Sequence, residues 1–316
     1  MAKIMNNANT LRKALNTGSG LSFGAWQMLP GSYLSRTIAR AGFDWVCIDC
    51  EHGNIAGKTS TLPFQFHAMP VATVTKDETL NVVDNEMHES VHALASVNVS
   101  PIVRIPANEG WMVKRALDAG AHGIIVPLLT SVDDAKKLVQ TAKFPPYGKR
   151  GFGSPFSMGS FEVQGNLSGF DYMTNANDNL LTIVQIETKE ALDSVEEIAR
   201  VDGIDVLFIG PWDLGNNIGH PVTGDFSPEL QKAIARILKA AQDAGKKSGI
   251  YCPSGEFARR YADMGFQMIS VVNDMTAVPT FMADSLSKAK GSYGHAAAQA
   301  VKGAAYGAVN LATGEK

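Results

Sequence analysis

Eight short apolar runs punctuate the chain: LSFGAW (21–26), WVCIDC (45–50), PIVRI (101–105), GIIVP (123–127), LTIVQIE (181–187), DVLFIG (205–210), SGIYC (248–252) and QMISVV (267–272). They are too continuous for strands with one wet face and suit strands buried on both faces. Amphipathic segments lie between them, among them SYLSRTIARAG, EMHESVHALAS, GWMVKRALDAG, SVDDAKKLVQTAK and SPELQKAIARILKAAQDAG. Several open on Ser, Thr, Asp or a Gly-rich turn and close on Ala-Gly, as helices do. Lys189 through Arg200 predicts one helix, with Ala191, Leu192, Val195 and Ile198 along its apolar face.

Strands alternating with helices in this number predict an α/β fold, a closed parallel (β/α)8 TIM barrel. A doubly wound open sheet is the alternative. It normally carries a Gly-rich phosphate loop after its first strand, and LSFGAWQMLPGS does not match G-x-G-x-x-G. The 316 residues read as a single barrel domain with two departures. Residues 57–83 follow the second strand with no clear period. The tail at 290–316 is rich in small residues and is expected to be weakly ordered or an interface arm.

Composition narrows the partners. Hydrophobic residues make up 45% and charged residues 19%, enough for a sizeable core. A net charge of −3 leaves no basic footprint for nucleic acid. No apolar run reaches the ~18–20 residues of a membrane span. Three cysteines (Cys47, Cys50, Cys252) make no disulfide framework and point to a reducing, cytoplasmic setting. Cys47 and Cys50 form a C-x-x-C inside a strand, where residues three apart face opposite ways, so they read as core filling.

In such a barrel, reactive groups gather at the C-terminal ends of strands. Strand two ends in Asp49-Cys50-Glu51-His52, and PIVRI carries Arg104. LTIVQIE ends in Gln185 and Glu187, and DVLFIG runs into Trp212-Asp213. Glu187 and Asp213 are hard oxygen donors that suit Mg2+ or Mn2+; alternatively Glu187 caps the helix from Lys189 and Asp213 caps a turn. His52 with Asp49 forms a usable base near neutral pH; a structural histidine is the plainer reading. Arg104, a charge inside an apolar run, needs a carboxylate or a developing oxyanion, or else makes a structural salt bridge. His122 starts its strand, so it belongs to the opposite end of the barrel.

The set DxEH, PIVRI, GAHGIIVP, RGFG, VQIET and GPWDLG resembles the HpcH/HpaI aldolases, metal-dependent enzymes acting on pyruvate or 2-oxo acids. The resemblance spans about Leu21 to Ala283, apart from the insert. It implies Glu187 and Asp213 as ligands of Mg2+ (or Mn2+ or Co2+), and His52 as the base, oriented by Asp49. It implies Arg104 and Gln185 at the 2-oxo acid, with the substrate carboxylate at the backbone of Trp212 and Asp213. It also implies a homohexamer that swaps its last helix. The expected reaction forms a pyruvate enolate by retro-aldol cleavage of a 4-hydroxy-2-oxo acid or by decarboxylation of oxaloacetate. Addition of that enolate to a 2-pyrone is the alternative, and a catalytically impaired oligomeric scaffold is the reading from another class. CoA-ester cleavage would call for a basic nucleotide-binding surface that the sequence does not obviously supply.

Relatives of this type run from EHGNIA almost directly into a helix resembling DNEMHESVHALAS; here about 27 residues intervene. The insert reads as a lid, a harmless loop, or an intron retained in frame, since Gly57-Lys58 can be encoded by GGTAAG, a splice-donor-like string.

Overall fold

A computed structural model describes residues 2–55, 58–59, 82–83 and 85–291. Its strands are β1 (Ser22–Gln27), β2 (Trp45–Asp49), β3 (Lys58–Thr59), β4 (Val82–Val83), β5 (Ser100–Arg104), β6 (Gly123–Val126), β7 (Leu181–Ile186), β8 (Val206–Ile209), β9 (Lys247–Ile250) and β10 (Met268–Asn273). All but β3 and β4 close into one barrel, ordered β1-β2-β5-β6-β7-β8-β9-β10 and back to β1. Every pairing in it is parallel. The eight apolar runs are these strands, and the closed ring excludes the open sheet.

Strand residues alternate between two environments, as a period of two requires. Val46, Ile48, Val103, Ile124, Val184, Leu207 and Ile269 pack outward under the helices. Trp45, Cys47, Ile102, Ile125, Ile183 and Phe208 face inward and fill the barrel with Trp26 and Met268. Large rings need gaps opposite them. A Cβ on Gly24 would fall 2.1 Å from the Trp45 ring, and one on Gly249 would fall 2.4 Å from Phe208. The inward series then runs on into chemistry: 45, 47 and Asp49; 102 and Arg104; 181, 183, Gln185 and Glu187.

The opposite end is plugged by the helix Thr10–Asn16, whose Leu11 and Leu15 join the interior cluster. Asn9 holds the plug by donating from Nδ2 to the carbonyls of His122 (3.0 Å) and Asn179 (2.9 Å). His122 lies at this end, as its place before β6 predicts. Its Nε2 sits 3.2 Å from the Ser160 carbonyl, which can only accept, so Nε2 carries the proton and Nδ1 faces Ser100 Oγ at 3.1 Å. The ring stacks on Phe161 at 4.4 Å.

Several helices differ from the sequence reading. The expected helix 189–200 breaks at Ser194 (φ −106°, ψ 14°) into Lys189–Asp193 and Val195–Ala199, with its apolar residues still buried. Gly169–Asn179 is a helix in the long stretch between β6 and β7, started by a capping box between Ser168 and Asp171. Pro211–Asn217 is another, with proline in its first turn. The last helix, Asp274–Lys290, buries only Asp274 and exposes Met275, Val278, Phe281, Met282 and Leu286. The three cysteines are all buried and form no disulfide. Among the described residues no helix is long and apolar enough to cross a membrane. Lys58–Thr59 pairs antiparallel with Val82–Val83; most of the expected insert, and the tail beyond 291, lie outside the described residues.

Burial pushes the His122 pKa down from 6.5 to about 3. The unfolded chain therefore binds the extra proton first. Stability from the neutral ring is complete above about pH 6.5 and is lost as pH falls toward 3, by roughly 5 kcal/mol over the full window. Denaturant melts from pH 7 to 4 should show this decline, and H122Q should flatten it whatever its stability at pH 7.

Candidate active site

Asp49 and Arg104 are direct cross-strand partners in the β2–β5 register, and both point into the barrel mouth. Their side chains meet in a two-point ion pair: Nε donates to Oδ1 at 3.0 Å and Nη2 to Oδ2 at 2.6 Å. Trp26 Nε1 donates to the same Oδ2 at 3.0 Å, and its ring lies 5.0 Å from the guanidinium carbon. The backbone N–H groups of Glu51 and His52 donate to Oδ1. Burial alone would raise the Asp49 pKa; the Arg104 charge and these donors hold it below the usual value.

This geometry corrects one expectation. Asp49 takes the backbone N–H of His52 (3.1 Å) and spends its oxygens on Arg104 and Trp26, so it does not orient the imidazole. The side chain of His52 is 45% exposed, with Nε2 3.8 Å from Glu51 Oε2. Burial, then the charge of Arg104, lowers its pKa, which keeps the ring neutral near pH 7.

Glu187 is buried at the end of β7. It is not a helix cap; Thr188 takes that role by accepting from Ala191 N–H. Glu187 Oε1 accepts from the Leu128 N–H at 2.8 Å, and Oε2 accepts from Gln185 Nε2. Burial and the negative charge of Asp213 raise its pKa to about 7 against those two donors. Asp213 stands in the first turn of Pro211–Asn217. Glu51, to which neither spacing nor resemblance assigns a role, completes the acidic side. Its Oε2 lies 2.9 Å from Arg104 Nη1, out of hydrogen-bond alignment. Burial raises its pKa to about 7, opposed by Arg104 and reinforced by Glu187, Asp49 and Asp213. Its signal was parity, since 49 and 51 fall on one face.

The other side of the mouth is aromatic. Trp212 meets Phe226 and Tyr251 edge-on at 5.8 and 5.7 Å, and Tyr251 meets Trp26 at 5.4 Å. Asn273 Nδ2 donates to the Tyr251 hydroxyl. The site thus joins a fixed guanidinium, a neutral imidazole and carboxylates that repel one another.

The donor set fits a divalent cation. Glu187 and Asp213 supply hard oxygens whose mutual repulsion a cation relieves, and Gln185 Oε1 is buried without a hydrogen bond. Among the described residues no three His, Cys, Asp or Glu side chains cluster to enclose an ion, so two carboxylates would leave coordination positions for water or substrate.

Fold and mouth together define a (β/α)8-barrel enzyme with its reactive groups at the C-terminal rim. The chain belongs to the HpcH/HpaI aldolase/citrate lyase family, whose pattern its residues 23–278 match. It is 34% identical over 269 residues to a hydroxypyruvate/pyruvate aldolase of Paraburkholderia phytofirmans, covering 84% of this chain and 92% of that protein. It is 32% identical over 268 residues to a 4-hydroxy-2-oxo-heptane-1,7-dioate aldolase of Shigella sonnei, covering 85% and 90%. A family member from Burkholderia cenocepacia superposes with a TM-score of 0.73 at 30% identity, covering 90% of this chain and all of that one. Macrophomate synthase shares the fold at TM-score 0.68 and 23% identity, covering 90% and 88%.

A Cβ at Gly210 would lie 2.4 Å from Glu187 Oε2 and 2.8 Å from Gln185 Nε2. Gly210→Ala should therefore displace the carboxylate. The expected result is a roughly 10- to 100-fold loss in turnover or metal affinity at an unchanged circular dichroism spectrum.

Proposed function

We propose that this chain is a divalent-metal-dependent carbon–carbon lyase that forms a pyruvate enolate from a 4-hydroxy-2-oxo acid or from oxaloacetate. The observation that carries the reading is a buried arginine locked by Asp49, with Glu51 and Glu187 within its field and Asp213 close enough for its charge to act on both of them. Mg2+, Mn2+ or Co2+ would be held by Glu187 and Asp213, and would supply Lewis acidity toward the substrate oxygens.

The chain's own groups account for the rest. Arg104 places fixed positive charge where the 2-oxo oxygen becomes negative, with no reorganisation because Asp49 holds it. His52, neutral at pH 7, takes the proton of the C4 hydroxyl. As that O–H electron pair closes to an aldehyde, the C3–C4 bond breaks and its electrons move into the enolate. Protonation at C3 then gives pyruvate. With oxaloacetate the same bond breaks with loss of CO2. Gln185 steadies Glu187 through its Nε2. The backbone N–H groups of Trp212 and Asp213, in the first helical turn, are assigned to the substrate carboxylate. The aromatic side of the mouth favours one second reading, capture of the enolate by a flat apolar electrophile such as a 2-pyrone.

The exposed apolar face of Asp274–Lys290 supports exchange of this helix between copies, in a homohexamer. Light scattering on the purified chain should then give about six chain masses; a monomer would reject the exchange.

Incubation with oxaloacetate and Mg2+ should release pyruvate faster than the spontaneous rate, and EDTA should abolish the excess. E187Q should lower kcat by about 100-fold or more. Turnover that ignores EDTA would reject the metal-dependent reading. Silence toward oxaloacetate and 4-hydroxy-2-oxo acids alike would reject the lyase.

A further inference from the structure

Among the described residues, two that are not glycine have positive φ: Asn98 at 59° and Leu128 at 54°. Asparagine tolerates the left-handed region because its short polar side chain bonds locally; leucine has no such compensation. Leu128 therefore holds a conformation that its residue type disfavours, two residues past the buried end of β6. Strain of this kind persists where surrounding structure imposes it.

The surroundings do impose it. Pro127 and Leu129 on either side are buried, whereas Leu128 is 55% exposed. Thr188 Oγ1 donates to the Leu129 carbonyl at 2.6 Å, and the Leu128 N–H donates to Glu187 Oε1 at 2.8 Å. Two consecutive residues of the loop after β6 thus grip two consecutive residues at the end of β7. The left-handed turn is what lets both neighbours bury while the N–H between them faces a carboxylate.

We propose that Leu128 is a positioning residue, and that its left-handed backbone, rather than its side chain, fixes the Glu187 carboxylate. With Oε1 tied to this N–H and Oε2 beside Gln185, the carboxylate is confined to one orientation. Groups that orient a metal ligand in this way are commonly worth 10- to 100-fold in affinity. The inference rests on the reading of Glu187 as a metal ligand.

The test is Mn2+ binding to the full chain, followed by loss of the free-ion electron paramagnetic resonance signal, alongside kcat and KM. Leu128→Gly and Leu128→Asn keep the N–H and favour the left-handed backbone; both should bind Mn2+ within about twofold of the unaltered chain. Leu128→Val and Leu128→Ile are apolar but β-branched and resist that backbone. They should weaken Mn2+ binding roughly tenfold and lower kcat more than they raise KM. The opposite ranking, with Gly and Asn impaired and Val and Ile intact, would assign the role to the side chain and overturn the proposal. So would four variants that all bind alike. If the β-branched proteins fail to fold, Leu128→Gly alone decides: a tenfold loss of Mn2+ affinity overturns the proposal, and retained affinity with retained kcat upholds it. An unaltered chain that binds no Mn2+, or an E187Q protein that binds it equally well, would reject Glu187 as a ligand and the inference with it.

Discussion

The buried pair between Asp49 and Arg104 is the constraint on which the mouth of the barrel depends. Two charges removed from water are stable only when each is saturated with partners, and deleting one of such a pair costs roughly 3–5 kcal/mol. Here saturation comes from the barrel itself. Register on β2 and β5 sets the two residues opposite each other, and β1 brings Trp26 to share the carboxylate. The arginine is therefore a fixed charge, and the acidic groups around it are arranged against a field that does not move.

That field is insufficient for all of them. One guanidinium serves Asp49, Glu51 and Glu187, the charge of Asp213 bears on the two glutamates, and the surplus shows in the raised pKa values of Glu51 and Glu187. A natural core would not assemble such repulsion without a use for it, and strained electrostatics of this kind mark functional sites. The backbone yields to it too. Gly210 gives up its side chain so that Glu187 fits, and Leu128 accepts an unfavourable turn to donate one hydrogen bond.

Much of this was legible along the chain, because alternation carries both the barrel and its chemistry. Once 45, 47, 102 and 183 face inward, Asp49, Arg104, Gln185 and Glu187 must follow. The same rule reaches Glu51, where attention to the neighbouring histidine obscured it. The partner of that histidine was misjudged for a physical reason. Proximity along a chain says little about which atoms remain free, and the Asp49 oxygens were claimed across strands by residues 23 and 55 positions away. The helices Thr10–Asn16 and Gly169–Asn179 were hidden by polar composition, since caps and tertiary plugging stabilise them more than any apolar stripe. Leu128 gave no signal at all: a leucine in a left-handed turn looks like any other leucine.

Lys58 stands opposite Val83 and Thr59 opposite Val82, so the chain before residue 60 and the chain after residue 81 meet at a single doorway. Paired residues of this kind lie about 5 Å apart, a gap that a tight reverse turn can bridge. The eight-stranded ring is thereby insulated from how much chain is strung across that doorway, because closure entropy grows only with the logarithm of length. A lineage could lengthen, trim or discard the excursion without renegotiating a single strand of the ring.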